Sequence, residues 1–556
     1  MLYKVTFDSK GKNMKKGLIA LSVVTAFATA SFASDANAEM YKQIQALKAQ
    51  IEALEKKVAA QETAQTQKVE QPVVTVDEKR IEKIEKKLDN VSKTATAAKV
   101  QSAGDNIKWD IDFRTQGDNI QYKLADGTKA KNDALLTNRL WLGAKYKADD
   151  NSSFFGKLSY NKAFGDTADH SQSNTNPGYA NFDWVTNENA TDNTVKVKEA
   201  YWLYNQEKLF GADVPWGASV GRRPSTDGLP TNIKNDQTAN SPLSHVVDVE
   251  FDGFSIKFDT QTVTGLTGSW FKICGGRGLT NATPRFDMFS PAYSTDDSKN
   301  VDVDMLGFIA VPYDNGQYSV HMNYAKAWNL IGFEQNEMNA FGAVSRGYTP
   351  DAAGMAAMAT NTPNILPQDM LGYQYAYAPG FKDVGDIQFA TVLFKTEGIG
   401  NGISNYLDNT KAFASFAASQ TDPNEKGMLG STDSETGTSV WLGVNAPCPI
   451  LPDSAKIGFE WNKGSKYWRS MTYGEDTYAG SKIATRGQAW EVYRTQKLTN
   501  ALSFGVSYVL MQYDYTGSNS FFGADGTPMT MAQAQTAGQN PVEEAQDVRV
   551  YMRYKF

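Results

Sequence analysis

The chain has 556 residues, with 55 basic and 62 acidic side chains for a net charge of −7, 3 histidines and 2 cysteines. At 41% hydrophobic, 12% aromatic and a mean hydropathy of −0.46 it is too polar for a bundle of membrane helices and too aromatic for a disordered chain. Cys274 and Cys448 supply neither the Cys-x-x-Cys-His repeats of a multihaem cytochrome nor a thiolate zinc site.

Residues 1–38 read as an export signal. Lys10, Lys12, Lys15 and Lys16 precede the apolar run from Gly17 to Phe32, and Ala36-Asn37-Ala38 gives a small-x-small cleavage pattern. Cleavage is placed after Ala38, with Ala33 as the second choice. Removing these residues takes away five lysines and two aspartates, so the net charge moves from −7 to −10. An acidic mature chain is not built to bind nucleic acid, which needs a basic face.

Residues 39–103 form the second region. Met40, Ile44, Leu47, Ile51, Leu54 and Val58 step alternately by four and three, and Ile81, Ile84, Leu88 and Val91 resume the pattern after Pro72. Such steps place one narrow apolar seam along a helix, which predicts a self-associating coiled coil; the recurring isoleucines lean toward three strands. A Ser/Thr/Ala-rich linker follows.

From residue 104 to 556 the period is two. Ile107, Trp109, Ile111 and Phe113 alternate with Lys108, Asp110, Asp112 and Arg114, and Leu140, Leu142, Ala144 and Tyr146 with Arg139, Gly143, Lys145 and Lys147. The last segment sets Val548, Val550, Met552, Tyr554 and Phe556 against Asp547, Arg549, Arg553 and Lys555. Tight connections near 149–152, 313–316 and 497–500 alternate with long polar ones near 166–193, 224–243, 329–384, 421–437, 463–486 and 517–545. That asymmetry predicts an all-β transmembrane antiparallel barrel, closed because lipid leaves no partner for an open edge. About 17 segments are countable, and an even number is required, so 16 or 18 strands are expected, with one missed or merged in 244–300. A barrel of that size is expected to hold water, and the tryptophans near strand ends, including Trp109, Trp141, Trp202, Trp216, Trp328, Trp441, Trp461 and Trp490, are expected at its interfacial girdles.

The signal, the coiled-coil stretch ending before IKWDIDFRTQ, the segment KEAYWLYN followed by WGASVGRRPSTDGLP, and the terminal VRVYMRYKF together resemble Gram-negative outer-membrane porins, most closely a poorly characterised group with an N-terminal coiled coil. Phosphate-selective-type porins share the layout, but no dense lysine or arginine ladder is visible here. The resemblance implies outer-membrane localisation, a passive channel for small hydrophilic solutes or ions, a homotrimer, a loop folded inward to narrow the pore, and Phe556 as the signal read by the barrel assembly machinery. Residues 329–384 are one candidate for that loop.

By parity the pore-lining candidates are Asp110, Asp112, Arg114, Arg139, Lys145, Lys147, Arg223, Glu460, Glu491, Arg549, Arg553 and Lys555. Two further readings stay open: a barrel that ensheathes or tethers a partner such as an electron-transfer cytochrome, and a barrel enzyme. His170, His245 and His321 stand in no nucleophile signature, so no enzyme is expected. No metal or cofactor is expected either, since the acidic groups around 296–304 lack a calcium-loop spacing.

Overall fold

The computed structural model describes residues 107–165, 194–280, 302–334, 382–472 and 477–556. The signal, coiled-coil and linker segments lie outside the described residues, as do residues 335–381 of the expected constriction loop.

The strands follow from the alternation. In chain order they begin with β1 (Ile107–Leu124), β2 (Lys129–Lys147), β3 (Ser152–Ala163), β4 (Lys196–Gln206) and β5 (Trp216–Arg223). After the short β6 (Val247–Asp248) come β7 (Phe251–Asp259), β8 (Trp270–Thr280), β9 (Asp302–Asp314) and β10 (Tyr318–Trp328). The two-residue strands β11 (Ile331–Gly332) and β12 (Lys382–Asp383) pair with each other. The wall resumes with β13 (Gly385–Glu397), β14 (Lys411–Pro423), β15 (Thr436–Pro447) and β16 (Ala455–Gly464). After the short β17 (Met471–Thr472) it ends with β18 (Gly487–Lys497), β19 (Leu502–Tyr513) and β20 (Val542–Lys555).

Leaving out β6, β11, β12 and β17, sixteen strands form one closed barrel, each antiparallel to its neighbours, and β1 pairs with β20 to close it. Closure satisfies every edge, as a wall in hydrocarbon requires. Outward residues form an apolar belt: Trp109, Phe113, Phe154, Phe416, Val492, Val550 and Met552 are all exposed on the outer face, while inward neighbours such as Asp112, Arg114, Ser415, Glu491, Arg549 and Arg553 are buried inside. The fold is therefore a transmembrane β-barrel.

The region that hid strands from the sequence, 244–300, holds β7 and β8. Their alternation is interrupted by glycines that the packing demands: a Cβ on Gly253 would fall 2.0 Å from the Gly275 carbonyl oxygen. Two aromatic assignments also change. Trp141 and Trp441 face inward and are buried: the Arg139 guanidinium lies over the Trp141 ring, and Trp441 meets His245 edge-on.

The largest departure is the lumen. In place of a water-filled bore, the long-loop end contains a packed apolar core of loop residues Val247, Leu330, Ile331, Met428, Leu429, Trp468, Met471, Phe521 and Phe522 against wall residues Ala327, Ile387 and Phe389. Burying each large side chain contributes roughly 1.5–3 kcal/mol, enough to hold connections that would otherwise be mobile. Inside the barrel, β6 and β17, from two different connections, pair in parallel. Gly437 on the wall lets this layer approach, since a Cβ there would lie 2.3 Å from the Trp468 backbone nitrogen.

Candidate functional site: a lumen half stapled and half open

The connection 224–250 leaves the long-loop end between β5 and β7, the fifth and sixth strands of the ring. It carries the short helix α1 (Thr231–Asn235). Its partners sit on β16, β18 and β20, which are thirteenth, fourteenth and sixteenth, so the segment spans the lumen to the far wall.

Five contacts hold it there, three of them ion pairs. Lys234 of α1 reaches Glu491 at 2.5 Å. Arg553 donates to the Asn235 carbonyl at 2.6 Å and Lys555 to the Asp236 carbonyl at 3.1 Å, both at the C-terminal end of α1, where carbonyls lack helical partners. Asp236 also faces Lys456 at 3.8 Å and Lys497 at 3.6 Å. Burial opposes ionisation of Asp236, but Lys456, Lys497, Lys555 and Lys411 together hold its carboxyl below the usual range. Lys456, Lys497 and Lys555 stand at the short-turn ends of their strands, so the loop penetrates nearly the full depth of the barrel.

A second connection, 465–486, folds in from the far wall itself. Lys482 donates to Glu460 at 2.6 Å and also to Glu491. Glu460 and Glu491 are direct cross-strand partners, an arrangement of like charges that is destabilising unless a cation lies between them. Burial works against the Lys482 ammonium, yet the two carboxylates hold its pKa above the ordinary value, so it remains charged. Trp441 donates its indole N–H to Glu460 at 3.1 Å. His245, fully buried, hydrogen-bonds Ser415 through Nδ1 at 2.7 Å and Ser439 through Nε2 at 2.9 Å, and lies edge-on to Trp441 and Trp468. Burial pushes the imidazole down to about 3, so it stays neutral.

The wall charges pair among themselves as well. Arg553 forks onto both oxygens of Asp112, with the Nε bond at 2.8 Å, and Arg139 approaches the same carboxylate at 3.4 Å. Arg549 binds Asp118 at 2.6 Å and Asp547 at 3.6 Å, and Tyr478 of the inserted loop lies over its guanidinium.

The opposite side, β4 to β10, differs. Between it and the loop lies a cavity of about 1160 Å³ opening toward the short turns, lined among others by Asn151, Tyr201, Trp216, Arg223, Lys257, Lys272 and His321. A separate pocket of about 60 Å³ beside Cys274 shares Arg223, Ser241 and Pro242 with its lining.

Of the twelve residues singled out by parity, Asp112, Arg114, Arg139, Glu460, Glu491, Arg549 and Arg553 are buried within the lumen, and six of these seven belong to the clusters above. Arg114 lies over the Tyr551 ring instead. Arg223 lines the open cavity and Lys555 caps α1. Asp110 and Lys145 share the inward face but are exposed, and Lys147 turns to Asp150 in the tight turn. Parity did not supply the loop lysines Lys234 and Lys482, for which no periodic signal exists. It would have supplied Lys257 and Lys272 had β7 and β8 been resolved: Phe254, Ile256 and Phe258 alternate with Ser255, Lys257 and Asp259. Cys274 and Cys448 are both free thiols. Among the described residues no group of three or more His, Cys, Asp or Glu side chains is placed to hold a metal ion.

A closed sixteen-strand barrel with an apolar belt and a charged, loop-filled interior defines a membrane-embedded antiparallel barrel. The chain belongs to the family described as "Protein of unknown function (DUF3373)", whose model matches residues 129–556. No curated protein matches it. Among solved structures it is similar to Salmonella typhi OmpF in complex with daunomycin (10% identity, 82% of this chain and 99% of that one, TM-score 0.41). It is also similar to Pseudomonas putida OprB (10%, 83% and 96%, 0.42) and to an anion-selective porin from Comamonas acidovorans (9%, 81% and 100%, 0.41).

Proposed function

We propose that this protein is a porin of the Gram-negative outer membrane, a passive path for small hydrophilic solutes or ions, narrowed by segment 224–250. The observation that carries the reading is the cavity of mixed polar and apolar lining along β4 to β10, inside a closed barrel whose other half is filled by the chain's own loops. In this reading the short turns face the periplasm, Phe556 is the assembly signal, and export uses the cleaved segment 1–38. Three barrels associate through their walls and coiled coils. Arg223 lines the path, together with Asp110 and Lys145 at the periplasmic mouth, while Asp112, Arg139, Glu460, Glu491, Arg549 and Arg553 act as anchors that set its width. No bond is made or broken: selection is by radius and by the charge ring.

Liposome swelling with uncharged sugars of increasing size tests this. Refolded, heat-modifiable protein is expected to admit the smallest sugars and exclude larger ones steeply; a correctly folded barrel that admits none would remove the channel reading.

A further inference from the structure

Among the described residues, the buried cations inside this barrel are matched to carboxylates or, as with Arg469 and Arg486, to backbone carbonyls. Lys198 and Arg222 share Glu250, Lys157 meets Glu199, and Lys234 and Lys482 meet Glu491. Three cations lining the open cavity differ. Arg223 on β5 stands at its inner end, Lys257 on β7 and Lys272 on β8 nearer its mouth, and among the described residues none of the three has a carboxylate within ion-pair distance. Lys257 and Lys272 are direct cross-strand partners, and Lys272 stands within electrostatic reach of both other cations. Their existing contacts are neutral. Lys257 lies 4.5 Å and Lys272 5.9 Å from the Trp270 ring, Lys272 donates to Ser241 at 2.8 Å, and the buried Arg223 Nε has no hydrogen-bond partner among the described residues. The acidic groups of the cavity, Asp150, Glu207 and Asp259, stand in or beside its outer turns. Asp259 is the one in electrostatic reach of Lys257.

A run of like charges along a partly desolvated wall, each end within reach of Lys272, is unfavourable unless an anion joins it. A guanidinium offers a planar fork to two oxygens of one ligand, and the ammonium groups add point charges around it. We propose that Arg223, Lys257 and Lys272 form a binding site for a small doubly charged oxyanion, of the phosphate or the dicarboxylate class, along the wall of the cavity, with Lys272 between the other two cations. As a statement about permeating solute it rests on the channel reading; as a statement about binding it does not.

Trp270 supplies a reporter because it lies under both lysines. The full chain, refolded in detergent, is titrated with sodium phosphate or sodium succinate against sodium chloride at matched ionic strength, and a W270F variant gives the signal to subtract. A saturable change in Trp270 emission is expected that chloride does not produce, with half-saturation weakened about tenfold for each charge removed in R223Q, K257Q and K272Q. These side chains border open cavity, so the variants keep the heat-modifiable mobility that certifies the barrel. A response to both anions supports the shared oxyanion site, and a response to one identifies its class. No saturable response to either, or one unchanged in the K257Q/K272Q double variant and in R223Q, overturns the proposal. Conductance of the same preparations separates the two readings. A barrel that binds but does not conduct removes the channel and leaves the site, whereas one that conducts without binding removes only the site.

Discussion

The two halves of the lumen use the same residue types to opposite ends. Along β16 to β20, the wall cations Arg549, Arg553, Lys555, Lys456 and Lys497 that meet the inserted loops are each matched to a carboxylate or a helix-end carbonyl. The loops there are as buried as a protein core. Along β4 to β10, Arg223, Lys257 and Lys272 face a cavity. Charge inside a barrel is therefore no guide to function until its partners are known: a paired charge fixes a loop, and an unpaired one awaits a ligand or repels its like. The burial that makes the first kind structural also makes it sensitive, because removing one member strands the other in a low-dielectric interior.

The comparison breaks most easily at Glu491. Glu491→Ala leaves Lys234 without its partner and Lys482 with only Glu460, so docking of 224–250 should weaken by about 3–5 kcal/mol. Limited proteolysis should then cut that segment in the variant and spare it in the wild type. Acid is the next lever. The His245 imidazole titrates at about 3 when folded, against an unperturbed value of 6.5. Its contribution is thus intact above pH 6.5 and lost progressively as pH falls from there toward 3, because the released loop takes up a proton that the docked loop refuses. At pH 4 the loss is roughly 3 kcal/mol. Protease access to 224–250 should rise on acidification, and His245→Asn should flatten that dependence.

Arg553→Gln tests the capping of α1. It removes the fork onto Asp112 and the bond to the Asn235 carbonyl, an effect of about 1.5–3 kcal/mol on docking, read by the same protease midpoint. Lys555→Ala should be the mildest, about 1 kcal/mol or less, since its contact with Asp236 is solvent-exposed. If Lys555→Ala released the loop as fully as Glu491→Ala, the division between anchoring and exposed charges would be wrong.

Much of the wall was legible because lipid outside and polar lumen inside impose a strict period of two: the faces of β1, β2 and β20 fall as Ile107–Phe113, Leu140–Tyr146 and Val548–Tyr554 predict. The connections in the described structure likewise fall on the expected ends. What alternation cannot carry is the path of a loop. Lys234 and Lys482 lie in irregular segments, and only the chain's return into the barrel brings them to Glu491, 257 and 9 positions away respectively. The tryptophans Trp141 and Trp441 show the same limit, as their inward parity was outweighed by the habit of aromatics to sit at membrane interfaces. Strands β7 and β8 were obscured by Gly253, Gly275 and Gly276, which serve close backbone approach and carry no side chain to read.

In the proposed channel, segment 224–250, stapled across the lumen, sets the width of the path. Single-channel conductance in a planar bilayer, comparing the wild type with the E460Q/E491Q double variant, tests this. Small, steady steps are expected from the wild type and clearly larger, noisier ones from the variant, whose loop lysines have lost their anchors. Equal conductance from two correctly folded barrels would contradict it.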